Sequence, residues 1–100
     1  MAKVIVEQMA NIHHSGNQHY IIKVGKKTYF QSYHTLIAIV NDGRITLNRN
    51  YWNYSKTTAA YRNRFLGLTT KETEKMIANG DIKLRTLDSR ILCDLNPNHC

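Results

Sequence analysis

The segment Asn41-Asp42-Gly43-Arg44 lies between two apolar runs, Leu36-Ile37-Ala38-Ile39-Val40 and Ile45-Thr46-Leu47. Asp-Gly between such runs is the strongest short hairpin signal, because a two-residue turn of this kind needs positive φ at both central positions. Asp tolerates that geometry and Gly prefers it. The turn also sets the register. Val40 falls opposite Ile45 and Ala38 opposite Leu47, two apolar pairs on one face. A slip of one residue would turn the whole apolar set to the other face, so turn chemistry and pattern agree.

Further strands surround this hairpin. Val4-Ile5-Val6 reads as a short first strand, and residues 11–18 as a polar loop. His19 to Val24 and Lys27 to His34 read as a second hairpin closed by Gly25-Lys26, with Ile22 facing Tyr29 and Ile21 facing Phe30. The later half turns helical. Ser55 is a good N-cap for a helix over Lys56–Leu66, with Gly67 at its C-terminal end. Thr58, Tyr61 and Phe65 share one face of that helix, and Lys56, Asn63 and Arg64 lie roughly opposite. Thr69 and Glu72 form a capping box for a second short helix ending at Asn79-Gly80. Asp81 to Leu87 alternates Ile82 and Leu84 with Lys83 and Arg85, the pattern of a charged edge strand. The expected fold class is α+β: an antiparallel sheet of four to six strands with two short helices in the C-terminal half.

One hundred residues, 42% of them apolar, suffice for one small domain over residues 1–100, with 89–100 read as a tail. No apolar run approaches the roughly 18 residues of a membrane span. The N-terminus is too short and too charged for a secretory signal. Two cysteines make no disulfide framework. These features predict a soluble intracellular protein, placed in the cytoplasm of a host cell by the resemblance described below. Cys93-Cys100 pairing would need an oxidising compartment, so Cys100 reads as a free thiol.

The charge is unevenly spread. Between Tyr20 and Phe65 there are eight basic residues and one acid, Asp42, so the whole net charge of +7 resides there. All nine aromatic residues occupy the same stretch. Cations that meet phosphates and rings that stack on bases make up a nucleic-acid platform. The plainer reading has the rings filling the core and the lysines solvated, and it carries more weight. Lys23, Lys26, Lys27, Arg44, Arg49, Trp52, Arg62 and Arg64 are the candidate residues for contact with nucleic acid or another partner. Tyr29, Tyr33 and Trp52 are the candidates for stacking.

Phe30-Gln31-Ser32-Tyr33, Ile37-Ala38, Leu47-Asn48, Tyr51-Trp52-Asn53-Tyr54-Ser55-Lys56-Thr57-Thr58 and Tyr61-Arg62-Asn63-Arg64-Phe65-Leu66-Gly67 together resemble a family of small proteins encoded in bacteriophage and prophage genomes. The Tyr-Ser-x-Thr-Thr block followed by the Phe-Leu-Gly helix end is the most specific part. The resemblance implies an accessory factor, a small regulator or an inhibitor of host defence such as an anti-CRISPR protein. It carries no catalytic motif. The same residues also read as a capped helix wedged on a sheet by its aromatic face.

Chemistry-bearing groups are sparse. His19 and His34 fall on one face in the hairpin register beside Lys23, and two histidines can act as acid and base in RNA cleavage. No nucleophile or phosphate loop accompanies them, so a solvent-facing sheet surface is the stronger reading. Cys93, His99 and Cys100, with His13-His14, lack the spacing of a zinc site. Neither a catalytic residue nor a cofactor nor a metal is expected. The leading expectation is a non-enzymatic, phage-encoded binding protein. It would inhibit a host nucleic-acid machine by occupying a nucleic-acid or ribonucleoprotein surface. The alternatives are a single-strand DNA/RNA-binding accessory protein and a small histidine-based nuclease. The expected partner is a host nucleoprotein complex or nucleic acid. No membrane partner is expected, and a homodimer fits the exposed strand edges.

Overall fold

The computed structural model describes residues 3–9 and 18–95. Six strands form one sheet in chain order: β1 (Val4–Gln8), β2 (His19–Val24), β3 (Lys27–Ser32), β4 (Thr35–Asn41), β5 (Arg44–Asn48) and β6 (Ile82–Arg85). Neighbours from β1 to β5 are antiparallel, while β6 runs parallel to β5. A parallel neighbour needs a crossover. Here two helices supply it, α1 (Lys56–Leu66) and α2 (Thr70–Asn79). A third, α3 (Ile91–Leu95), follows β6. The fold is α+β, with one helix more than expected.

Turn chemistry accounts for the meander. Asp42 and Gly43 have φ of 53° and 82°, the doubly positive pattern of a type I′ turn. The expected pairs Val40↔Ile45 and Ala38↔Leu47 both form. Gly25 alone is positive in the β2–β3 turn, and Ile22↔Tyr29 and Ile21↔Phe30 pair as expected. The β3–β4 connection differs from expectation. The strand stops at Ser32, and Tyr33-His34 forms a turn with Tyr33 at φ 56°. Near it Phe30 pairs with Ala38 and Gln31 with Leu36, so Ile37 is an extra residue on β4. Such a bulge lets Ile37 and Ala38 both face the same core.

Each sheet face carries its own apolar cluster, as the alternation of Tyr29 with Phe30 requires. One joins Phe30, Ile37, Ala38, Leu47 and Ile82 to Tyr61 of α1, with Phe65, Met76 and Ile77 packed around it. The other joins Ile22, Tyr29 and Leu36 to Leu92, with Leu87, Ile91 and Leu95 around it. The expectation of a tail from residue 89 is therefore corrected over 89–95. Leu92 is buried under the sheet, and the Ser89 hydroxyl accepts the Leu36 N–H at 3.0 Å. The helix caps form as expected. Ser55 caps α1, Thr69 and Glu72 form the reciprocal box on α2, and Gly67 and Gly80 close the helices in left-handed conformation. Two backbone and side-chain bonds with Thr69 hold the Glu72 carboxyl below its usual range.

His19 belongs to the core. It is fully buried and stacks on Tyr61 with ring centroids 3.8 Å apart. Burial drives its pKa down to about 4. His34 is exposed in the turn. The two histidines thus form no accessible pair, because His19 is buried against Tyr61 and the strand that was to carry His34 ends at Ser32. The unfolded chain binds a proton near pH 6.5 and the folded chain only near pH 4. Stability contributed by the neutral imidazole is therefore complete above pH 6.5 and is lost as the pH falls towards 4. The loss amounts to ~3 kcal/mol. In urea unfolding between pH 7 and pH 4.5, wild type is expected to lose stability steeply, and His19→Phe to lose much less.

Candidate anion-binding groove

The second apolar cluster draws on β2, β3 and β4 and contains no residue of β5 or β6. The outer strip of that sheet face is left open by α3. Alternation places Arg44 and Thr46 of β5 on this strip, since Ile45 and Leu47 pack towards the helices. Thr46 pairs with Lys83, so Lys83 and Arg85 of β6 share it. Here a groove of about 450 Å³ is lined by Arg44, Ile45, Thr46, Gly80, Asp81, Lys83 and Arg85. Three of its seven lining residues are cationic, one is acidic, and none is aromatic. Among the described residues, none of the three cations enters an ion pair. Lys83 and Arg85 lie two residues apart on one strand, roughly 6.6 Å by strand rise.

Exposed cations continue beyond the groove at the end of the sheet. The β2–β3 and β4–β5 turns meet there, the Asp42 N–H bonding the Lys26 carbonyl at 3.1 Å. Lys27 pairs with Asn41, and Asn41 with Arg44. Lys27 and Arg44 thus stand in one row on the groove face, about 10 Å apart across two strand spacings. Lys26 and Lys27 are both exposed. This concentration of cations over a low-dielectric sheet is suited to an extended polyanion.

The expected contact residues divide. Arg44 lines the groove, and Lys26 and Lys27 stand beyond it on the adjoining hairpin. Arg49 lies just past β5, where its guanidinium donates to the Leu84 carbonyl at 3.2 Å. Lys23 faces the helix side and meets Glu7 at 3.7 Å. Arg64 is exposed on α1, away from the groove strands. Arg62 is a correction, since it is completely buried. Its guanidinium donates to the Trp52 carbonyl at 2.6 Å and to Asn53 Oδ1 at 3.1 Å. It also donates to Asn63 Oδ1 and Thr70 Oγ1, each at 2.9 Å. Burial pulls its pKa down, and the charge of Glu74 opposes that shift. Trp52 is half-buried, with its ring 5.0 Å from the Arg62 guanidinium carbon. Of the stacking candidates, Tyr29 is buried and Tyr33 is exposed. The other exposed rings are Tyr51 and Tyr54, which sit edge to face in the connection after β5.

Sequence reasoning missed Lys83 and Arg85 as contact residues and took them for edge guards. Their alternation with Ile82 and Leu84 did place them on one face; their alignment with Thr46 depends on the parallel pairing. Among the described residues, no group of three His, Cys, Asp or Glu is placed to hold a metal ion. His13, His14, His99 and Cys100 lie outside the described residues. Cys93 is disulfide-bonded, against the expectation that disulfide pairing is absent. No helix among the described residues is long and apolar enough to cross a membrane.

Residues 3–81 match a family of unknown function (DUF8033), and the chain belongs to that family. The match ends one residue before β6, so Arg44 lies inside it and Lys83 and Arg85 beyond it. No curated protein and no solved structure matches the chain.

Lysine at position 62 can keep the charge but cannot reach four acceptors at once. Arg62→Lys is expected to cost about 3 kcal/mol in urea unfolding, because hydrogen bonds to a charged group are lost and buried acceptors are left unpaired. The emission of Trp52, the single tryptophan, should shift with it.

Proposed function

We propose that this DUF8033 protein is a non-enzymatic binding protein whose basic groove holds the phosphate backbone of a nucleic acid. The observation that carries the reading is the convergence of Arg44, Lys83 and Arg85 on an open strip of sheet, with Lys27 in the adjoining row. A guanidinium offers a flat fork of donors to phosphate oxygens, and a lysine ammonium a compact charge. Binding then releases counterions from the nucleic acid, which supplies most of the free energy. Phosphate contacts position a protein without reading sequence. The absence of any ring from the groove lining favours this over a base-stacking platform.

Steric occupation follows from such contacts. A small chain lying along a backbone keeps other proteins from it, whether the strand is free or held in a nucleoprotein complex. In the phage setting that the sequence resemblance implies, this is how an inhibitor of a host nucleic-acid machine, of the anti-CRISPR kind, would act. The location would then be the host cytoplasm.

The test is a salt series of fluorescence anisotropy with labelled single-stranded and duplex oligonucleotides. The groove predicts that log K falls with log salt with a slope of about −3, near one unit per phosphate neutralised. A Lys83→Glu/Arg85→Glu double variant should bind at least tenfold more weakly and with a flatter slope. Equal binding by wild type and this variant would remove the groove from the account. Retention on single strands alone, lost on Tyr51→Ala/Tyr54→Ala, would favour the stacking alternative instead.

A further inference from the structure

Among the described residues β1 is an edge strand with no neighbour on its outer side, and it is apolar. Val4, Ile5 and Val6 are 41%, 43% and 40% exposed. They sit on both faces of the strand, so neither apolar cluster of the protein claims them. A free edge with apolar residues is a template for another strand, and natural proteins guard such edges with charge. Here the flanking charges are Lys3 and Glu7, of opposite sign and four residues apart.

The backbone ladder decides which groups face outward. The Met9 N–H bonds the His19 carbonyl at 2.8 Å, continuing the register Val4↔Val24 to Gln8↔Tyr20. In an antiparallel pair, directly bonded residues alternate with residues whose N–H and C=O point the other way. Ile5, Glu7 and Met9 therefore bond β2, and Val4 and Val6 present their N–H and C=O groups to the open edge. Any strand that adds there must bond to Val4 and Val6.

We propose that the added strand is the β1 of a second copy, paired antiparallel about a two-fold axis at Ile5. In that register Val4 bonds the partner's Val6, and Val6 bonds the partner's Val4. Ile5 lies against the partner's Ile5 in a close, non-bonded pair. Lys3 stands opposite the partner's Glu7, and Glu7 opposite the partner's Lys3. Shifting the axis to Val4 or Val6 keeps the ladder but sets Ile5 against Lys3 or Glu7. Only the Ile5 axis matches apolar with apolar and cation with anion. An isologous contact of this kind closes on itself, giving one twelve-stranded sheet. The axis is perpendicular to the sheet, so both basic grooves lie on the same face, at its two far edges.

Sedimentation equilibrium over a concentration series up to millimolar tests this. Wild type is expected to pass from monomer to dimer. Val6→Pro removes an outward N–H while leaving the bonds to β2 in place, as edge strands allow. It should be monomeric with its circular dichroism spectrum kept. Lys3→Glu and Glu7→Lys each place like charges across the axis and should weaken self-association about tenfold or more. Mixing the two single variants restores opposite charges at both ends and should recover a heterodimer. Wild type that stays monomeric throughout overturns the proposal. So does a dimer that none of these changes weakens, since its contact would lie elsewhere.

Discussion

The buried guanidinium of Arg62 joins parts of the chain that share no strand. It holds the Trp52 carbonyl and Asn53 of the connection leaving β5, Asn63 of α1, and Thr70 at the start of α2. Among the described residues no carboxylate bonds it; its charge is met by neutral oxygens, by the face of Trp52 and by the charge of Glu74. Taking a guanidinium out of water is costly unless its donors are used; four contacts in fixed directions from its two terminal nitrogens offset much of that cost, while the buried Nε has no partner among the described residues. The same contacts tie the start of α2 to α1 and to the connection leaving β5. α2 in turn delivers β6 alongside β5, and without that pairing the groove would lack Lys83 and Arg85.

Coverage of the sheet explains where the groove opens. Two helices cover one face along β3 to β6, and a single short helix covers β2 to β4 of the other. A sheet face that meets water must be polar. On β5 and β6 it is Arg44, Thr46, Lys83 and Arg85. The basic strip is thus the solvated part of a half-covered sheet, and its charge is far more one-signed than solvation alone demands. One acid, Asp81, faces three cations.

Much of the fold was legible because local rules decide it. Asp42-Gly43 dictates a turn and hence a register, and Ser55, Gly67, Thr69 and Glu72 mark helix ends by orphaned backbone groups that need partners. What failed depended on contacts distant in sequence. Tyr33 accepts a positive φ that glycine usually fills, so the β3–β4 turn left no signal. Leu92 gives no hint that it closes the second face, because that face is assembled from three strands. The charged stretch at residues 20–65 was read as one surface, yet Arg62 lies inside, Lys23 faces Glu7, and the groove recruits two cations from beyond it. Composition locates charge along the chain; pairing locates it in space.

The most direct measurement is amide chemical-shift mapping of the protein titrated with a short duplex at low salt. The groove account predicts the largest shifts at Arg44, Thr46, Lys83 and Arg85, with Lys26 and Lys27 following and all of them reversing on addition of salt. Shifts confined to Tyr33, Tyr51 and Tyr54, with β5 and β6 silent, would contradict it.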